Sequence, residues 1–289
     1  MLKNLFVIGN GFDIFHGLDT KYKSFLMYLE NENKTLHKLL CKYICEKAMW
    51  SNMEKELGEI DYETLKEDNY EYCLNYHDDD WKDSANHDFQ NMIEASLSFS
   101  EKVPCYFREW IKEINTKLDD NFDKISDIIS IESLFLNFNY TDTLEKNYFI
   151  PEKNILYIHG KALRNDKLII GHNNKKFEND YENNYEDVRV IEGDELIYNY
   201  FKSTFKDTEK IYVANIEFFK LLSKIEKIYI YGHSLSYVDF NYFLEIKKHT
   251  LPNVYWHISY FDSEDKRRAE EFVKELNLER YKIYPINNK

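Results

Sequence analysis

The sequence predicts an α/β fold in which a mainly parallel sheet carries helices on both faces. Short apolar runs of strand length recur along the chain, and most end in glycine or polar residues. They alternate with longer stretches whose apolar residues fall at helical spacing. Strands that alternate with helices favour a parallel sheet covered on both sides. We therefore expect a Rossmann-like sheet with a large helical insertion after its first strand.

The predicted strands start near the N-terminus and resume after residue 130. Residues 3–8 (KNLFVI) form the first, and Gly9 stops it. The later strand-like runs are 131–140 (IESLFLNFNY), 154–160 (NILYIHG), 167–172 (KLIIGH), 226–234 (EKIYIYGHS), 253–261 (NVYWHISYF) and 281–286 (YKIYPI).

Helical spacing dominates the segment between the first two strands. It includes helices expected at 86–102 and 104–129, with Pro104 in the first turn of the second. Further helices are expected near 194–225, 240–249 and 263–276. The predicted organisation is therefore a Rossmann-type domain made of 1–20 plus 130–289, with 21–129 as the helical insertion.

Composition narrows the class of protein. The net charge of -14 disfavours non-specific binding to nucleic acid or to an anionic membrane, since both need a positive field. We see no leader sequence and no apolar run of about 18 residues. The four cysteines (Cys41, Cys45, Cys73 and Cys105) include no C-x-x-C pair. We expect a cytoplasmic protein with reduced thiols and no metal site.

The residues that follow each strand are the candidates for a binding site, because ligands of open parallel sheets bind beyond the carboxyl ends of the strands. We call the residues directly after a predicted strand its exit. Five strand exits carry glycine, amide, hydroxyl or imidazole groups. They are Gly9-Asn10-Gly11-Phe12-Asp13, Asn137-Phe138-Asn139-Tyr140-Thr141-Asp142, His159-Gly160, Gly171-His172-Asn173 and Gly232-His233-Ser234-Leu235. Five exits of one character predict one polar pocket at one edge of the sheet.

The first exit has two interpretations. Gly9 and Gly11 would let a phosphate approach backbone N–H groups, or they would simply make a tight turn. Ile14 stands where the full G-x-G-x-x-G fingerprint has its third glycine, so the motif alone does not decide between them.

His159 and Asn139 are the candidates for chemistry. An imidazole accepts a proton near neutral pH, which suits His159 as a general base, although a lone histidine at a strand end is also a common structural residue. Asn139 does not titrate, so its expected role is to orient a water molecule or a ribose hydroxyl.

Six motifs resemble the AbiH family of bacterial phage-abortive-infection proteins. They are GNGFDIFHGLDTKYKSFL, WSNME (Trp50–Glu54), NFNYTDTLE, YIHG, IIGHNN and YGHSLSYVDFNYF, and they occur in the expected order between residues 8 and 243. The WSNME motif is the least specific, because Trp50 and Glu54 also suit packing and capping of the insertion.

The same landmarks resemble the sirtuin-like, NAD-consuming fold. That resemblance implies NAD as substrate, with Asn139 near the nicotinamide ribose and His159 as the catalytic histidine. It implies binding roles for Gly9, Asn10, Gly11, Phe12, Tyr140, Gly160, Gly232, His233, Ser234 and Leu235. The cysteine quartet that binds zinc in protein-deacetylating sirtuins is missing, and Asn10 replaces an alanine. These departures favour NAD hydrolysis over deacetylation and leave the choice between NAD, NADP and another nucleotide open.

The hypothesis is cleavage of the bond between nicotinamide and ribose. His159 would accept a proton from a ribose hydroxyl or the attacking water, and Asn139 would hold that group. Asp13 would steady the developing positive charge or bind the nicotinamide amide, or else cap the following turn. Ser234 would contact the adenosine half, whereas Asp239 is expected to cap the helix that begins at Phe240.

Three other histidines, His16, His172 and His233, would line the pocket or serve structure. The expected partners are NAD or a related nucleotide, a phage-derived trigger protein and further copies of the chain. Control would reside in the helical insertion or an oligomer interface. The competing functions are a nucleotide-binding sensor without turnover, a nuclease-type defence effector and a toxin that acts by protein contacts alone.

Overall fold

The computed structural model describes residues 2–44, 53–74, 77–79, 81–118, 125, 128–164, 166–175 and 187–286. The chain divides into two compact units. The first comprises Met1–Lys21, Arg108–Ile169 and Asp207–Lys289, and the second comprises Tyr22–Phe107 and Ile170–Lys206. The second unit starts close to the expected residue 21, but it also takes 170–206 and leaves 108–129 to the first.

The first unit contains a six-stranded, all-parallel sheet, which confirms the predicted fold class. The strands are β1 (Asn4–Ile8), β2 (Ser133–Asn137), β3 (Ile155–Tyr157), β4 (Lys227–Tyr231), β5 (Tyr255–Tyr260) and β6 (Tyr281–Pro285). Their order in the sheet is β3-β2-β1-β4-β5-β6, the order of Rossmann-type folds. In register, Ile8 of β1 lies between Asn137 of β2 and Tyr231 of β4. The loops that leave these three strands therefore emerge side by side.

The predicted strand at 167–172 is wrong. Residues 167–171 have no regular structure, and His172 makes only an isolated bridge with Phe205. The N–H of Ile169 donates to the carbonyl of His159 instead of entering a ladder. Leu168 is buried, but within the described ranges no strand of the sheet lies beside this run to pair with it.

Helices of the first unit cover both faces of the sheet. They are α1 (Asn10–Phe15), α8 (Thr143–Tyr148), α10 (Thr208–Ala214), α11 (Ile216–Lys220), α12 (Phe240–His249) and α13 (Ser263–Glu275). On one face, Phe12 of α1 and Leu144 of α8 pack with Phe6 of β1. On the other, Phe243 of α12 and Phe272 of α13 join the larger apolar cluster.

The second unit is helical in its described part. It holds α2 (Tyr22–Glu32), α3 (Lys34–Tyr43), α4 (Met53–Leu57), α5 (Tyr62–Asn69), α6 (Asp88–Leu97), α9 (Val188–Thr204) and the part of α7 (Phe99–Glu113) up to Phe107. Gly193 of α9 lets that helix approach α6, since a Cβ there would lie 2.4 Å from the ring of Phe89. No helix in the described ranges is long and apolar enough to cross a membrane.

Two helix predictions differ from the structure. Pro104 lies inside α7 rather than at its start, because the buried residues Phe99, Val103 and Phe107 continue one apolar face across the proline. Part of the stretch predicted as helix at 104–129 lies outside the described residues. The long helix expected at 194–225 is divided into α9, α10 and α11, with Asp207 capping α10 by accepting from the N–H of Lys210.

Candidate functional site

The candidate site lies where the order of strands reverses, beyond the adjacent carboxyl ends of β1 and β4. The chain runs from β1 to one side of the sheet through β2 and β3, and to the other through β4, β5 and β6. Such a switch point is where open parallel sheets leave room for a ligand. The loops that begin at Gly9 and Gly232 meet here.

The glycines of these two loops allow the backbones to touch. A Cβ on Gly9 would lie 2.5 Å from the Cα of His233, and one on Gly11 would lie 2.7 Å from the Cα of Gly232. A Cβ on Gly232 would lie 2.2 Å from the backbone nitrogen of Phe12, and its φ of +64° is itself unfavourable for a side chain. We call this contact between residues 9–12 and 232–233 the glycine seam.

Hydrogen bonds close the glycine seam. The N–H of Gly9 donates to the carbonyl of Tyr231 (3.0 Å), and that of Gly11 donates to the carbonyl of Gly232 (2.8 Å). The N–H of Phe12 donates to the carbonyl of Gly9 (2.9 Å). These three donors are therefore used within the chain, as in a tight turn, and none of them is directed at a ligand.

Asn10, which the sequence left unexplained, has a local structural role. Its Nδ2 donates to the carbonyl of Thr20 (2.8 Å), which ties the start of α1 to the loop after it. An alanine at this position would not make that bond.

The exit of β2 brings Asn139 to the glycine seam. Its side-chain Nδ2 donates to the carbonyl of Gly9 (3.1 Å), and its N–H donates to Oδ1 of Asn137 (3.0 Å). Tyr140 follows, and its hydroxyl donates to the carbonyl of Ile169 (2.9 Å). Asn139 is only 5% exposed, so its amide is fixed between two strand exits.

His159 lies on the β3 side of the site and faces Asp239. Its Nε2 is 3.6 Å from Oδ1 of Asp239, while Oδ2 of the same carboxylate is 3.5 Å from Nε2 of His233. Both distances exceed that of a direct hydrogen bond, so the carboxylate is a near neighbour of each imidazole rather than a direct hydrogen-bond partner at these atoms. One carboxylate thus serves two imidazoles, and all three side chains are at most 8% exposed.

The sequence predicted that Asp239 caps α12, but its side chain does not do so. It occupies the residue before α12, but the carboxylate accepts no hydrogen bond from the first turn. The carboxylate lies among the imidazoles instead. The sequence motif YVDF gave no signal for this role, because His159 is far from Asp239 along the chain.

The orientation of His233 is set by its own loop. The N–H of Leu235 donates to Nδ1 of His233 (2.9 Å), helped by a φ of +53° at Leu235. Nδ1 must therefore be the unprotonated nitrogen of the neutral ring, so that the proton is on Nε2 and faces Asp239. Ser234, between them, is exposed.

Aromatic rings enclose the imidazoles. The ring of Phe138 meets that of His233 edge-on at 4.4 Å and that of His159 at 5.2 Å, measured between centroids. Tyr242 of α12 lies 6.0 Å from His159. Sequence reasoning assigned no role to either of these two residues. The apolar rings of Phe138 and Tyr242 lower the local dielectric, which strengthens the electrostatic interaction of Asp239 with the imidazoles.

Asp13 lies on the other side of the glycine seam and is fully buried. Its Oδ2 accepts from the hydroxyl of Thr141 (2.6 Å), and Thr141 Oγ1 also lies 3.2 Å from that of Thr143. Burial raises the pKa of Asp13 to about 6, against the smaller lowering effect of these hydroxyls. The turn after α1 is closed by the backbone carbonyl of Asp13, which accepts from the N–H of His16 and of Leu18, and not by its carboxylate.

Two of the other candidate histidines have structural partners. His16 contacts the carbonyl of Phe12 (2.6 Å) and the hydroxyl of Tyr148 (2.8 Å), and burial lowers its pKa. His172 belongs to the second unit, where its Nδ1 accepts from the N–H of Asn174. Burial lowers the pKa of His172 to about 4. Its motif is therefore not an exit of the sheet.

The WSNME motif also falls in the second unit. Trp50 lies outside the described residues. Glu54, in α4, accepts two hydrogen bonds of 3.0 Å from Nζ of Lys206, and both side chains are buried. Within the described ranges, no three His, Cys, Asp or Glu side chains are grouped as ligands for a metal ion.

A sequence model of one protein family, bacteriophage abortive infection AbiH, matches residues 5–260. The chain belongs to the AbiH family. The match spans every strand exit of the candidate site, from the glycine seam to Asp239. No curated protein and no solved structure matches the chain, so the resemblance to sirtuin-like folds stays a prediction. AbiH membership implies a role in abortive infection, a defence against bacteriophage.

Proposed function

We propose that this AbiH protein carries out abortive infection as an NAD glycohydrolase, which cleaves the bond between nicotinamide and ribose. The observations that carry the proposal are the approach of His159 to Asp239 and the contact of Asn139 with Gly9, both among the strand exits of a Rossmann-type sheet. An imidazole beside a carboxylate is suited to accept a proton, and a fixed amide is suited to orient a hydroxyl or a water molecule.

In the proposed reaction, the bond from the ribose C1′ to the nicotinamide nitrogen breaks and a bond from C1′ to a water oxygen forms. His159 takes the proton that this water loses. Asp239 stabilises the resulting imidazolium, which it approaches to 3.6 Å. Asn139 holds the water or a ribose hydroxyl, so that the reacting atoms are already oriented when the oxocarbenium-like state forms. The products are nicotinamide and ADP-ribose.

Asp13 is the proposed partner of the nicotinamide end. Because burial raises its pKa to about 6, both forms of the carboxyl are accessible near neutral pH. The protonated form donates to a carboxamide oxygen, and the ionised form steadies positive charge on the sugar. Thr141 fixes one of its oxygens for either task.

Burial of the site suggests where the proposed activity is controlled. Asn139, His159 and Asp239 are 5%, 3% and 5% exposed. NAD therefore reaches them only if the strand-exit loops move, and a phage-derived trigger or self-association is the proposed cause of that movement. An enzyme that destroys NAD needs such control in an uninfected cell.

The test is release of nicotinamide from NAD by the purified full-length protein, with and without lysate of phage-infected cells. We expect release by the wild type and a loss of about 10²–10⁴-fold in His159→Ala and Asn139→Ala. The matched control is His249→Gln, since His249 lies at the end of α12, with Nδ1 near the carbonyl of Glu245. Unchanged release in both site variants would disprove the assignment.

A nucleotide-binding sensor without turnover is the second candidate. The observation that favours it is the burial of His159, which is 3% exposed and therefore closed to a nucleotide that binds outside the strand-exit loops. A sensor would bind nucleotide in both the wild type and His159→Ala and would release no nicotinamide in either. Calorimetric titration beside the release assay separates the two functions.

A further inference from the structure

A cleft of about 570 Å³ lies at the end of the sheet where its parallel strands begin. It is lined by the starts of β4 and β5 and by the residue before β6, and so lies at the opposite end of β4 from the glycine seam. Its polar lining comprises Glu226, Lys227, Asn253, Tyr255, His257 and Arg280. The volume is within the usual range of small-molecule sites.

The cleft carries positive charge in an acidic protein. Lys227 and Arg280 line it, and Lys282 of β6 is the register partner of the lining residue His257. No carboxylate among the described residues forms an ion pair with any of the three. The acid of the lining, Glu226, is paired with Lys3 at 2.7 Å. With a net charge of -14 for the whole chain, such a group of unneutralised cations points to an anionic ligand.

His257 reports the same positive field. Its pKa is lowered, mainly by burial and then by the charges of Lys227 and Lys282. Lys227 and Lys282 therefore lie close enough to His257 to disfavour its protonated form.

The floor of the cleft is aromatic. The ring of His257 stacks on that of Tyr229 at 4.5 Å with an interplanar angle of 14°, and the ring of Tyr255 lies 4.9 Å from His257. Tyr255 and His257 are partly exposed, so part of each side chain faces solvent. A planar, unsaturated group can stack on such a surface.

Arg280 is held in place before any ligand arrives. Its Nη1 donates to the carbonyl of Asn253 (2.8 Å), and the guanidinium lies 5.8 Å from the centre of the Tyr255 ring. A guanidinium fixed in this way presents its remaining N–H groups as a fork, which matches the geometry of phosphate oxygens.

We propose that this cleft binds a nucleoside phosphate, with the phosphate at Lys227 and Arg280 and the base against Tyr255 and His257. The same chemistry is offered by a free mononucleotide and by the end of a single-stranded oligonucleotide. The proposal does not depend on the NAD glycohydrolase function, because the two sites are at opposite edges of the sheet.

The first experiment is calorimetric titration of the full-length protein with AMP at low ionic strength. We expect saturable binding that weakens as salt is added, and weaker binding of both adenosine and inorganic phosphate. Lys227→Gln/Arg280→Gln should lose at least about tenfold in affinity. The control, Lys266→Gln/Arg267→Gln, removes two exposed cations from α13 of the same unit and should bind as the wild type does.

A single-stranded oligothymidylate is the second probe. Tighter binding of this probe than of AMP would identify a strand end as the source, and the reverse order would identify a free nucleotide. Loss of AMP affinity in Lys227→Gln/Arg280→Gln separates this cleft from the candidate active site, since both residues lie at the opposite end of the sheet from it.

Photolabelling with 8-azido-AMP then locates the contact. We expect labelled peptides from β5 or from 280–284. Absence of saturable binding up to about 1 mM AMP, unchanged affinity in the double variant, or labelling only near the glycine seam would overturn the proposal.

Discussion

Replacement of Gly232 by alanine tests the glycine seam. The added Cβ would lie 2.2 Å from the nitrogen of Phe12 and 2.4 Å from the carbonyl carbon of Gly11. Both of those atoms belong to the backbone, so neither can rotate away. The residue also has a φ of +64°, which alanine adopts only with strain.

The two effects differ in size and can be separated. The left-handed conformation costs about 1–2 kcal/mol for a residue with a Cβ. Overpacking at a close contact adds roughly 1–3 kcal/mol. We therefore expect Gly232→Ala to lower the free energy of unfolding by about 2–5 kcal/mol. For a unit of this size, each kcal/mol lowers Tm by roughly 2–4 °C.

Two further variants measure the backbone strain and the close contact separately. Gly17→Ala has the strain alone, since its φ is +77° and no atom lies within 4 Å of the position that the new Cβ would take. Gly9→Ala has a contact of 2.5 Å with His233 but no positive φ. Urea unfolding followed by circular dichroism measures all three. If Gly232→Ala costs no more than Gly17→Ala, the loops do not pack as described and the glycine seam is refuted.

Three other predictions concern buried charges. The pKa of Asp13 is raised from 3.8 to about 6, so the folded state loses up to about 3 kcal/mol of stability as pH rises from roughly 4 to 6. Asp13→Asn should make the urea midpoint of unfolding less dependent on pH over that range. The control Glu279→Gln, at an exposed residue, should leave the pH dependence unchanged. Lys206→Met should lower the free energy of unfolding by about 3–5 kcal/mol, because the buried carboxylate of Glu54 loses the cation that it pairs with. Converting both residues to methionine should recover most of the loss, and equal losses in the single and double variants would contradict the ion pair. Asp239→Asn should lower kcat for nicotinamide release about 10²-fold with little change in KM, since the carboxylate acts through the neighbouring histidine; a change in KM alone would argue against that role.

The local pattern of apolar runs was sufficient to locate the strands of the sheet. All six strands, β1 to β6, lie within the runs expected from apolar residues and glycine stops. The prediction of a strand at 167–172 failed for a physical reason. A strand needs a neighbouring strand with which to pair, and the sequence of the run does not show whether the fold supplies one. The predicted helix at 194–225 was too long because Asp207 and Asn215 interrupt it.

The candidate site was predictable in its members but not in its contacts. Strand exits pointed to Asn139, His159 and the glycine loop, and the structure brings the first of these to the carbonyl of Gly9. The place of Asp239 between two imidazoles depends on the approach of β3 to the loop after β4, which no local spacing encodes. The engagement of the Gly11 N–H with Gly232 depends on tertiary contact for the same reason.

The most direct test of the central claim is the NAD content of bacterial cells that express the protein, measured before and during phage infection. We expect NAD to fall on infection in cells with the wild type and to stay at the uninfected level in cells with His159→Ala, which lose protection. Protection by the wild type with no fall in NAD would refute NAD hydrolysis as the means of defence. An equal fall in both strains would contradict the role of His159.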